Sequence, residues 1–409
     1  MPALGMGRYI ALRLLLMPLT FALALLVLFV VLNIAPGRTS EGEGSSEAQR
    51  ESDRVFREQF SLDRPLLFST RAWTDAADVR ALLDGMRASD PKRRDRAAQA
   101  FDDLGAYALL PLTELVPEPD AVFWLANLSK RSAIPPPPTW SSFFLDTRLA
   151  KFAENVLTLD FGRSFVDRTP VLPAILARLR ISVVLGLMSI LLAYALAIPI
   201  GVLGAAQPGK PFDLVTTTVL FALNAAPTFF VGTLLLELFA GGRPWRLFPA
   251  SGFVTLGVGP QTTIDVLRDV TWHLVLPVAT YGAATLAALS RYARAGVIDV
   301  IRADHVRTAR AKGLPEVVVL VKHVARNGMI PLLTLLGGLL PALVSGSVVI
   351  EVVFGIPGVG SYLYDAINLR DFNAVMGVLV IVTAATIIGV FLSDIAVALA
   401  DPRVRLGAR

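Results

Sequence analysis

Long apolar stretches alternate with short polar segments along most of the chain. Six of them reach the roughly 20 residues that a helix needs to cross a hydrocarbon core about 30 Å thick: residues 12–33, 181–205, 214–240, 274–293, 329–353 and 374–400. Because lipid offers no partner to backbone polar groups, each stretch is predicted to form a helix that satisfies its own hydrogen bonds. The pattern therefore predicts an all-α polytopic membrane protein with six transmembrane helices.

The composition agrees with a bilayer as the solvent of most of the chain. The 409 residues are 54% hydrophobic and 17% charged, which is typical neither of a disordered chain nor of an ordinary soluble domain. Cysteine is absent, so disulfides, thiolate catalysis and cysteine-held metals are excluded. The net charge of +5 does not indicate nucleic-acid binding, because the basic residues cluster beside the apolar stretches, where they orient helices.

The charges of the short loops predict the orientation of these helices. Arg8 and Arg13 precede the first stretch, whose apolar core exceeds the roughly 7–15 residues of a signal peptide, so we expect an uncleaved anchor. The loop 294–328 carries an excess of basic residues, as cytoplasmic loops do. We therefore predict that both termini are cytoplasmic. The predicted divisions are a first helix with its cytoplasmic end, a long outer segment, a five-helix core and a cytoplasmic tail: residues 1–37, 38–175, 176–400 and 401–409.

The segment 38–175 is predicted to lie outside the membrane and to contain a helical insertion at about 70–148. Between residues 78 and 116 the apolar side chains recur at helical spacing, and Asp90-Pro91 is a typical start of a second helix. Such a pair looks like one unit of a HEAT-type repeat, which cannot bury its apolar face alone. A poorly structured insertion without a function of its own is an equally open alternative.

One segment has the spacing of a phosphate-binding loop. In GAAQPGKP, 204–211, the last position should be Ser or Thr to hold magnesium, whereas Pro211 has neither a hydroxyl nor an N–H. The segment also follows an apolar stretch rather than a strand. We interpret it as a short cytoplasmic turn.

No catalytic or metal-binding set emerges from the remaining polar residues. The three histidines lack metal-ligand spacing. The carboxylates that we count inside the apolar stretches are Glu237 and Asp394, and both lie near stretch ends. We expect neither an enzyme nor a metal site, and a membrane-embedded hydrolase is a weak alternative.

Prolines interrupt the apolar stretches, among them Pro199 and Pro277. A proline frees carbonyls that only neighbouring helices or a water-filled cavity can satisfy. Helices bent around a translocation pathway are the functional interpretation, and ordinary packing of small residues is the other. Since polar groups inside lipid-length helices favour a lumen, the candidate pathway residues are Asn224, Pro227, Thr228, Ser345 and Ser347.

A basic segment between the fourth and fifth apolar stretches has the pattern of two short helices joined by a turn. Ile301 to Lys312 are good helix formers, Gly313 is placed as a helix stop, and Pro315 lies in the first turn of the next helix. That second helix is apolar early and basic late, which suits an element with one side against the bundle and one side offered to a partner. Residues 301–326 are called the elbow below.

The elbow contains a recognisable motif. RTARAKGL, 307–314, resembles the cytoplasmic coupling motif of ATP-binding-cassette importer permeases, in which EAA is followed by three residues and Gly, in the form common in the dipeptide, oligopeptide and nickel branch. Arg307, Thr308 and Ala309 fall on the EAA positions and Gly313 on the glycine. Further segments resemble that branch: the first apolar stretch, LDRPL at 62–66, LDFGRSF at 159–165, EVVFGIPGVGSYLYDAI at 351–367 and DPRVR at 401–405. In typical members LDRPL and GRSF are only a few tens of residues apart, so 70–148 has no counterpart.

The resemblance implies a fold, a location and partners. It implies the type I architecture of importer permeases in the bacterial inner membrane, with a second homologous permease, two cytoplasmic ATPases and an extracytoplasmic solute-binding protein. ATP and magnesium would be bound by the ATPases, and no cofactor by this chain. The elbow would contact an ATPase through Arg307, Thr308, Ala309, Arg310, Gly313 and Leu314. The rival hypothesis is a membrane-anchored structural or receptor protein that works through its helical insertion.

Overall fold

The computed structural model describes residues 6–34, 63–130, 139–241, 247–255, 257, 262–329, 332, 335 and 347–400. Among these residues the regular structure is helical, and the β contact is an isolated bridge between Arg163 and Pro170. The prediction of an all-α chain is therefore confirmed for the described part. Two compact units are present: Val31–Asp160 is one, and Met1–Val30 with Phe161–Arg409 is the other.

The helices are numbered in chain order. Those that begin before residue 160 are α1 (Met6–Ile34), α2 (Ala76–Met86), α3 (Pro91–Leu104), α4 (Leu109–Glu114), α5 (Pro119–Leu128), α6 (Trp140–Leu145) and α7 (Arg148–Thr158). The later ones are α8 (Val171–Ala206), α9 (Pro211–Ala225), α10 (Thr228–Phe239), α11 (Thr263–Ile301), α12 (Asp304–Ala311), α13 (Glu316–Val318), α14 (Arg326–Gly328), α15 (Val348–Val353), α16 (Val359–Asn368) and α17 (Phe372–Ala400). A π-helical stretch, Val319–Ala325, joins α13 to α14.

Four helices are long and apolar enough to cross a membrane, namely α1, α8, α11 and α17. The pair formed by α9 and α10 is a fifth candidate, bent by 108° at a short break. The predicted crossing 329–353 lies largely outside the described residues, which include α15 at its end. The described part of the chain thus contains four crossing helices, or five with the bent pair, against the six predicted.

Two helices, α8 and α11, extend well beyond the apolar stretches that predicted them. The apolar residues 181–205 lie within α8, and 274–293 lie within α11. A capping box between Thr262 and Asp265 starts α11 in a polar segment. Hydropathy alone therefore does not find the beginning of this helix.

The prolines differ in their effect. Pro199 and Pro277 lie inside continuous helices and do not interrupt them, contrary to our expectation. Pro227 does separate two helices, because the preceding Ala226 adopts an extended backbone with ψ of 134°, as residues before proline prefer. The prolines at 331 and 341 lie outside the described residues.

Two separate apolar cores lie along the paired helices α8 and α11. The elbow core joins the later parts of both helices to the elbow and includes Ala193, Ala197, Val202, Leu289, Ala293, Val297, Val306, Ala309, Val319 and Val324. The far core joins their earlier parts to α15 and its following turn and includes Leu185, Leu274, Leu276, Val278, Ile350, Phe354 and Ile356. The elbow is therefore packed on one end of this helix pair.

The unit Val31–Asp160 has a core of its own. As predicted, α3 begins at Pro91, and the side chain of Asp90 accepts the N–H of Lys92 as its cap. The pair α2 and α3 does not stand alone, because α4 and α5 complete a small helical core. Its buried residues are Val79, Leu83, Phe101, Ala108, Leu112, Leu115 and Ala121.

The two ends of this helical region meet at its base. The N–H groups of Arg148 and Leu149 donate to the carbonyls of Pro65 and Leu66, at 2.9 and 3.2 Å. Arg71 also binds Asp146 through two parallel hydrogen bonds, Nε to Oδ2 at 3.1 Å and Nη2 to Oδ1 at 2.8 Å. The chain thus leaves and returns at one place, with the helices between.

Candidate functional site

A tight turn at Gly313 forms the bend of the elbow. The N–H of Gly313 donates to the carbonyl of Arg310 at 2.9 Å, and the N–H of Leu314 donates to that of Ala309 at 3.4 Å. These bonds close the end of α12. Gly313 has a φ of +75°, which favours glycine, and a Cβ placed there would meet no other atom within 4 Å. The glycine is therefore required by the backbone conformation and not by crowding inside the chain.

The elbow has a buried face and an exposed face. Val306 and Ala309 of α12 are 0% and 4% exposed and pack in the elbow core with Val319 and Val324 of the following π-helical stretch. Of the six residues predicted to contact an ATPase, Ala309 therefore lies on the buried face. The other five are exposed: Arg307, Thr308, Arg310, Gly313 and Leu314.

An ion pair crosses the bend. Arg310 donates to Glu316 from Nη2 at 2.7 Å and from Nε at 3.2 Å, which connects α12 to α13. The hydrogen bonds from Arg310 hold the pKa of Glu316 below its usual range. The resemblance implied that both Arg307 and Arg310 contact an ATPase. Instead, Arg310 is engaged within the elbow, whereas the Arg307 side chain is 72% exposed and comes only within 3.6 Å of Asp304.

The exposed face of the elbow is apolar beyond the bend. Val317 and Val321 are 72% and 64% exposed, and Leu314 and Val318 are each 38% exposed. These four side chains are called the elbow patch. An apolar patch beside exposed basic residues is typical of a surface that binds another protein.

The candidate pathway residues of the third apolar stretch lie at the break between α9 and α10. Asn224 lies in the last turn of α9, Pro227 caps α10, and Thr228 is its first residue. A helix end has backbone groups without partners inside the helix. Within a membrane such groups occur only where they are buried in protein or line a water-filled cavity. The break thus places these three residues where backbone N–H and C=O groups need hydrogen-bond partners that lipid cannot supply.

The serines of the fifth stretch are less informative. Ser347 caps α15, its Oγ accepting the N–H of Ile350 at 3.4 Å. Ser345 lies outside the described residues.

Within the segment 204–211, residues 207–210 form a turn between α8 and α9, and Asp213 of α9 holds it. The N–H of Gly209 donates to Oδ2 of Asp213 at 2.9 Å, and the Asp213 side chain is bound by Arg294. A carboxylate thus occupies the place that a phosphate would take in a nucleotide-binding loop, which supports our interpretation of a simple turn.

Glu351 is a buried carboxylate that the sequence analysis missed. It is 0% exposed, and its two oxygens accept from the Oγ of Ser182 and the N–H of Ser361, each at 2.8 Å. The Oγ of Ser182 also accepts the N–H of Val359 at 2.9 Å. Glu351 therefore connects α8 to α15 and α16. The signal was present, because Glu351 lies inside the apolar stretch 329–353, where carboxylates are rare.

The other carboxylates and histidines form no reactive set. Asp394 pairs with Arg13 of α1, Nη2 to Oδ2 at 3.1 Å. The Nδ1 of His273 lies 2.9 Å from the carbonyl of Asp269 on its own helix. Across the described ranges, no group of three His, Cys, Asp or Glu side chains could hold a metal ion.

Comparison with known proteins identifies the family. The model of the binding-protein-dependent transport system inner membrane component family matches residues 197–406, which include the helix break and the elbow. The chain belongs to this family. It is a membrane permease subunit of a transport system, not an enzyme, and the apolar helices agree with a multi-pass protein of the inner membrane.

Several relatives of the permease are similar over most of their length. The oligopeptide transport system permease protein AppB of Bacillus subtilis is 37% identical over 255 residues, which are 62% of this chain and 78% of that protein. The dipeptide transport system permease protein DppB of Bacillus subtilis is 33% identical over 62% of this chain and 78% of its own length. The inner membrane ABC transporter permease protein YejB of Escherichia coli O157:H7 is 34% identical, covering 64% and 72%.

Proposed function

We propose that this permease forms half of the translocation pathway of an ATP-driven importer for peptides or a related small solute. Its elbow, residues 301–326, would couple it to a cytoplasmic ATPase. The observation that carries the proposal is the division of the elbow into a face buried in the elbow core and an exposed face formed by Arg307 and the elbow patch. The dipeptide and oligopeptide permeases among the relatives support the substrate class.

The partners follow from this assignment. The permease pairs with a second homologous permease, two ATPases dock on the cytoplasmic side, and a solute-binding protein delivers the solute from outside. ATP and magnesium bind to the ATPases. Both termini of the permease are cytoplasmic, and the helical insertion at 70–148 lies outside the membrane. Its packed pairs of helices support the comparison with a HEAT-type repeat.

The geometry of the elbow explains how it transmits force. Val306 and Ala309 attach α12 to the ends of α8 and α11, so a partner that moves the elbow also moves these helices. Arg310 and Glu316 keep α12 and α13 in one arrangement across the bend. The partner must contact the two states of the transporter unequally, since equal contact shifts no equilibrium. Closure of the ATPases on nucleotide supplies this difference.

The solute passes the break between α9 and α10 in this proposal. Asn224, Pro227 and Thr228 lie at the break. Ser345 and Ser347 are the candidates that the sequence of the fifth stretch adds. The exposure of Asn224 and Pro227 supports an aqueous path at this point.

A glycine substitution tests the coupling. Gly313→Asp places a side chain at a φ of +75° and disturbs the bend on the exposed face. We expect the variant to insert normally, to lose co-purification with the ATPases and to lose transport-coupled ATP hydrolysis. Gly257→Asp is the matched control, because Gly257 has a φ of +79° and equally open surroundings outside the elbow.

The outcomes separate the proposal from a general loss of folding. Both variants carry a similar backbone strain, so equal losses in both would mean that the strain alone is responsible. Uptake into vesicles that survives Gly313→Asp would refute the coupling role. A receptor protein that works through its insertion would likewise be unaffected by this substitution.

A further inference from the structure

A partly buried ion pair joins the start of α9 to α11 close to the elbow, with the Arg294 side chain 36% exposed. Arg294 donates from Nε to Oδ1 of Asp213 at 2.7 Å and from Nη2 to Oδ2 at 2.9 Å. Oδ2 also accepts the N–H of Gly209 at 2.9 Å, and the Asp213 side chain is only 6% exposed. Charge-assisted bonds in this parallel geometry fix the orientation of both partners.

The pair is not needed to hold α8 and α11 together. These helices touch through their backbones at Gly201, where a Cβ would lie 2.9 Å from the backbone nitrogen of Arg294. They also share the elbow core. A buried ion pair contributes little net stability compared with apolar side chains of the same volume. The ion pair instead fixes where α9 lies against α11.

The ion pair is a specific polar contact between α9 and the part of α11 nearest the elbow. Arg294 lies about two turns before the end of α11 at Ile301, from which the elbow continues. Asp213 lies in the first turn of α9. Among the described residues, α9 contributes no side chain to the elbow core or to the far core.

The next helix belongs to the other end of the molecule. Leu235, Leu236 and Phe239 of α10 pack against the far core. Gly232 of α10 approaches Phe354 and Thr280 closely, since a Cβ there would lie 3.3 Å from each of their side chains. The two halves of the bent pair are therefore held at different places along α11, α9 by the ion pair at Arg294 and α10 in the far core, with the 108° bend between them.

We propose that the Asp213–Arg294 ion pair is a positioning link that makes α9 move with the elbow. Displacement of the elbow then changes the bend between α9 and α10, because α9 is tied near the elbow end of α11 whereas α10 packs near its other end, so that bending of α11 between the two alters their relative position. The residues at the bend are Asn224, Pro227 and Thr228. Motion of the elbow therefore opens or closes the pathway at these residues. This inference rests on the proposed function, since it requires an ATPase that moves the elbow.

Spin-label distances test the link directly, because the chain has no cysteine and single pairs can be introduced. One pair joins Val215→Cys on α9 to Phe230→Cys on α10, and a second joins Val215→Cys to Ala311→Cys on α12. All three positions lie outside both cores. Distances are measured in the assembled importer with its own partner subunits, without nucleotide and after trapping with ATP and vanadate.

The expected result is specific to the ion pair. In the importer with Arg294 intact the 215–230 distance shifts on trapping, while the 215–311 distance stays constant. Arg294→Gln abolishes the 215–230 shift and makes the 215–311 distance change, while ATP hydrolysis continues. Arg294→Lys, which keeps the charge but not the paired bonds, retains part of the shift. Arg291→Gln, an exposed arginine on the same helix, leaves both distances as they are.

Other outcomes overturn the proposal. A 215–230 shift that persists in Arg294→Gln would show that α9 follows the elbow without the link. If Arg294→Gln does not assemble, the reciprocal exchange Asp213→Arg with Arg294→Asp decides: a restored shift supports the link, and its absence overturns it. If neither variant assembles, the distances are measured in Asp213→Asn. An unchanged 215–230 shift in Asp213→Asn overturns the link. An unmodified importer whose elbow makes no contact with an ATPase overturns the proposed function itself.

Discussion

At the scale of single residues, burial separates groups that a sequence motif treats alike. Arg307 and Ala309 are two positions apart in the coupling motif, but Arg307 is exposed and Ala309 packs in the elbow core. A sequence motif identifies residue positions but not which side of the helix each residue lies on relative to the core. That depends on how α12 packs. The sequence therefore predicted the helix and the turn at Gly313, and could not tell which residues of this segment are exposed.

Glu351 carries a prediction about stability. In Glu351→Gln, the amide nitrogen cannot accept a hydrogen bond, so one of the buried donors, the O–H of Ser182 or the N–H of Ser361, loses its acceptor. We expect a cost of about 1–3 kcal/mol, the range for a buried polar group left without its partner. Thermal unfolding of the detergent-solubilised permease measures it as a lower midpoint.

An exposed glutamate provides the control for this substitution. Glu237 lies on the exposed side of α10, so Glu237→Gln should leave the midpoint unchanged. Equal midpoints for Glu351→Gln and the unmodified permease would show that the hydrogen bonds around Glu351 contribute no stability.

At the scale of elements, hydropathy predicted where helices exist but not how they are divided. A window of roughly 20 residues averages over a break of two, so residues 214–240 read as one crossing although α9 and α10 meet at 108°. The break itself depends on Ala226 and Pro227. Pro199 and Pro277 stay inside helices, so proline alone does not locate a break; local packing decides.

The break predicts a pattern of chemical accessibility. If the break lines the proposed aqueous pathway, Asn224→Cys and Thr228→Cys should react with a membrane-impermeant thiol reagent in the assembled importer. Val219→Cys, also on α9 and within the apolar stretch, should not react. The native absence of cysteine makes the background of this measurement clean. Equal reactivity at all three positions would contradict a pathway at the break.

At the scale of the whole molecule, the chain consists of two units that are built separately. The family match covers residues 197–406, which belong entirely to the second unit. The unit Val31–Asp160 has its own core and a closed base, where Pro65 and Leu66 bind Arg148 and Leu149. Such closeness of the ends is typical of a domain inserted into a loop. In the sequence, the distance between two family segments predicts the insertion. The closeness of its two ends is seen only in the structure.

The closed base predicts that the insertion can be removed. Ser69 and Asp146 are hydrogen-bonded at 3.1 Å, so residues 70–145 can be replaced by a short glycine linker without stretching the chain. We expect the shortened permease to insert and to co-purify with its ATPases in normal amounts. Combining the deletion with Gly313→Asp should abolish the co-purification. Failure of the deletion alone would favour a receptor protein that works through its insertion.

The central claim is that the elbow is the contact through which a separate ATPase drives this permease. Cross-linking from Thr308→Cys in native membranes tests it most directly, because Thr308 is exposed and the chain has no other cysteine. The claim predicts a cross-link to a nucleotide-hydrolysing subunit whose yield changes when ATP is bound. Reaction of Thr308→Cys with an impermeant reagent from the outer side, or the absence of any ATPase cross-link, would contradict it.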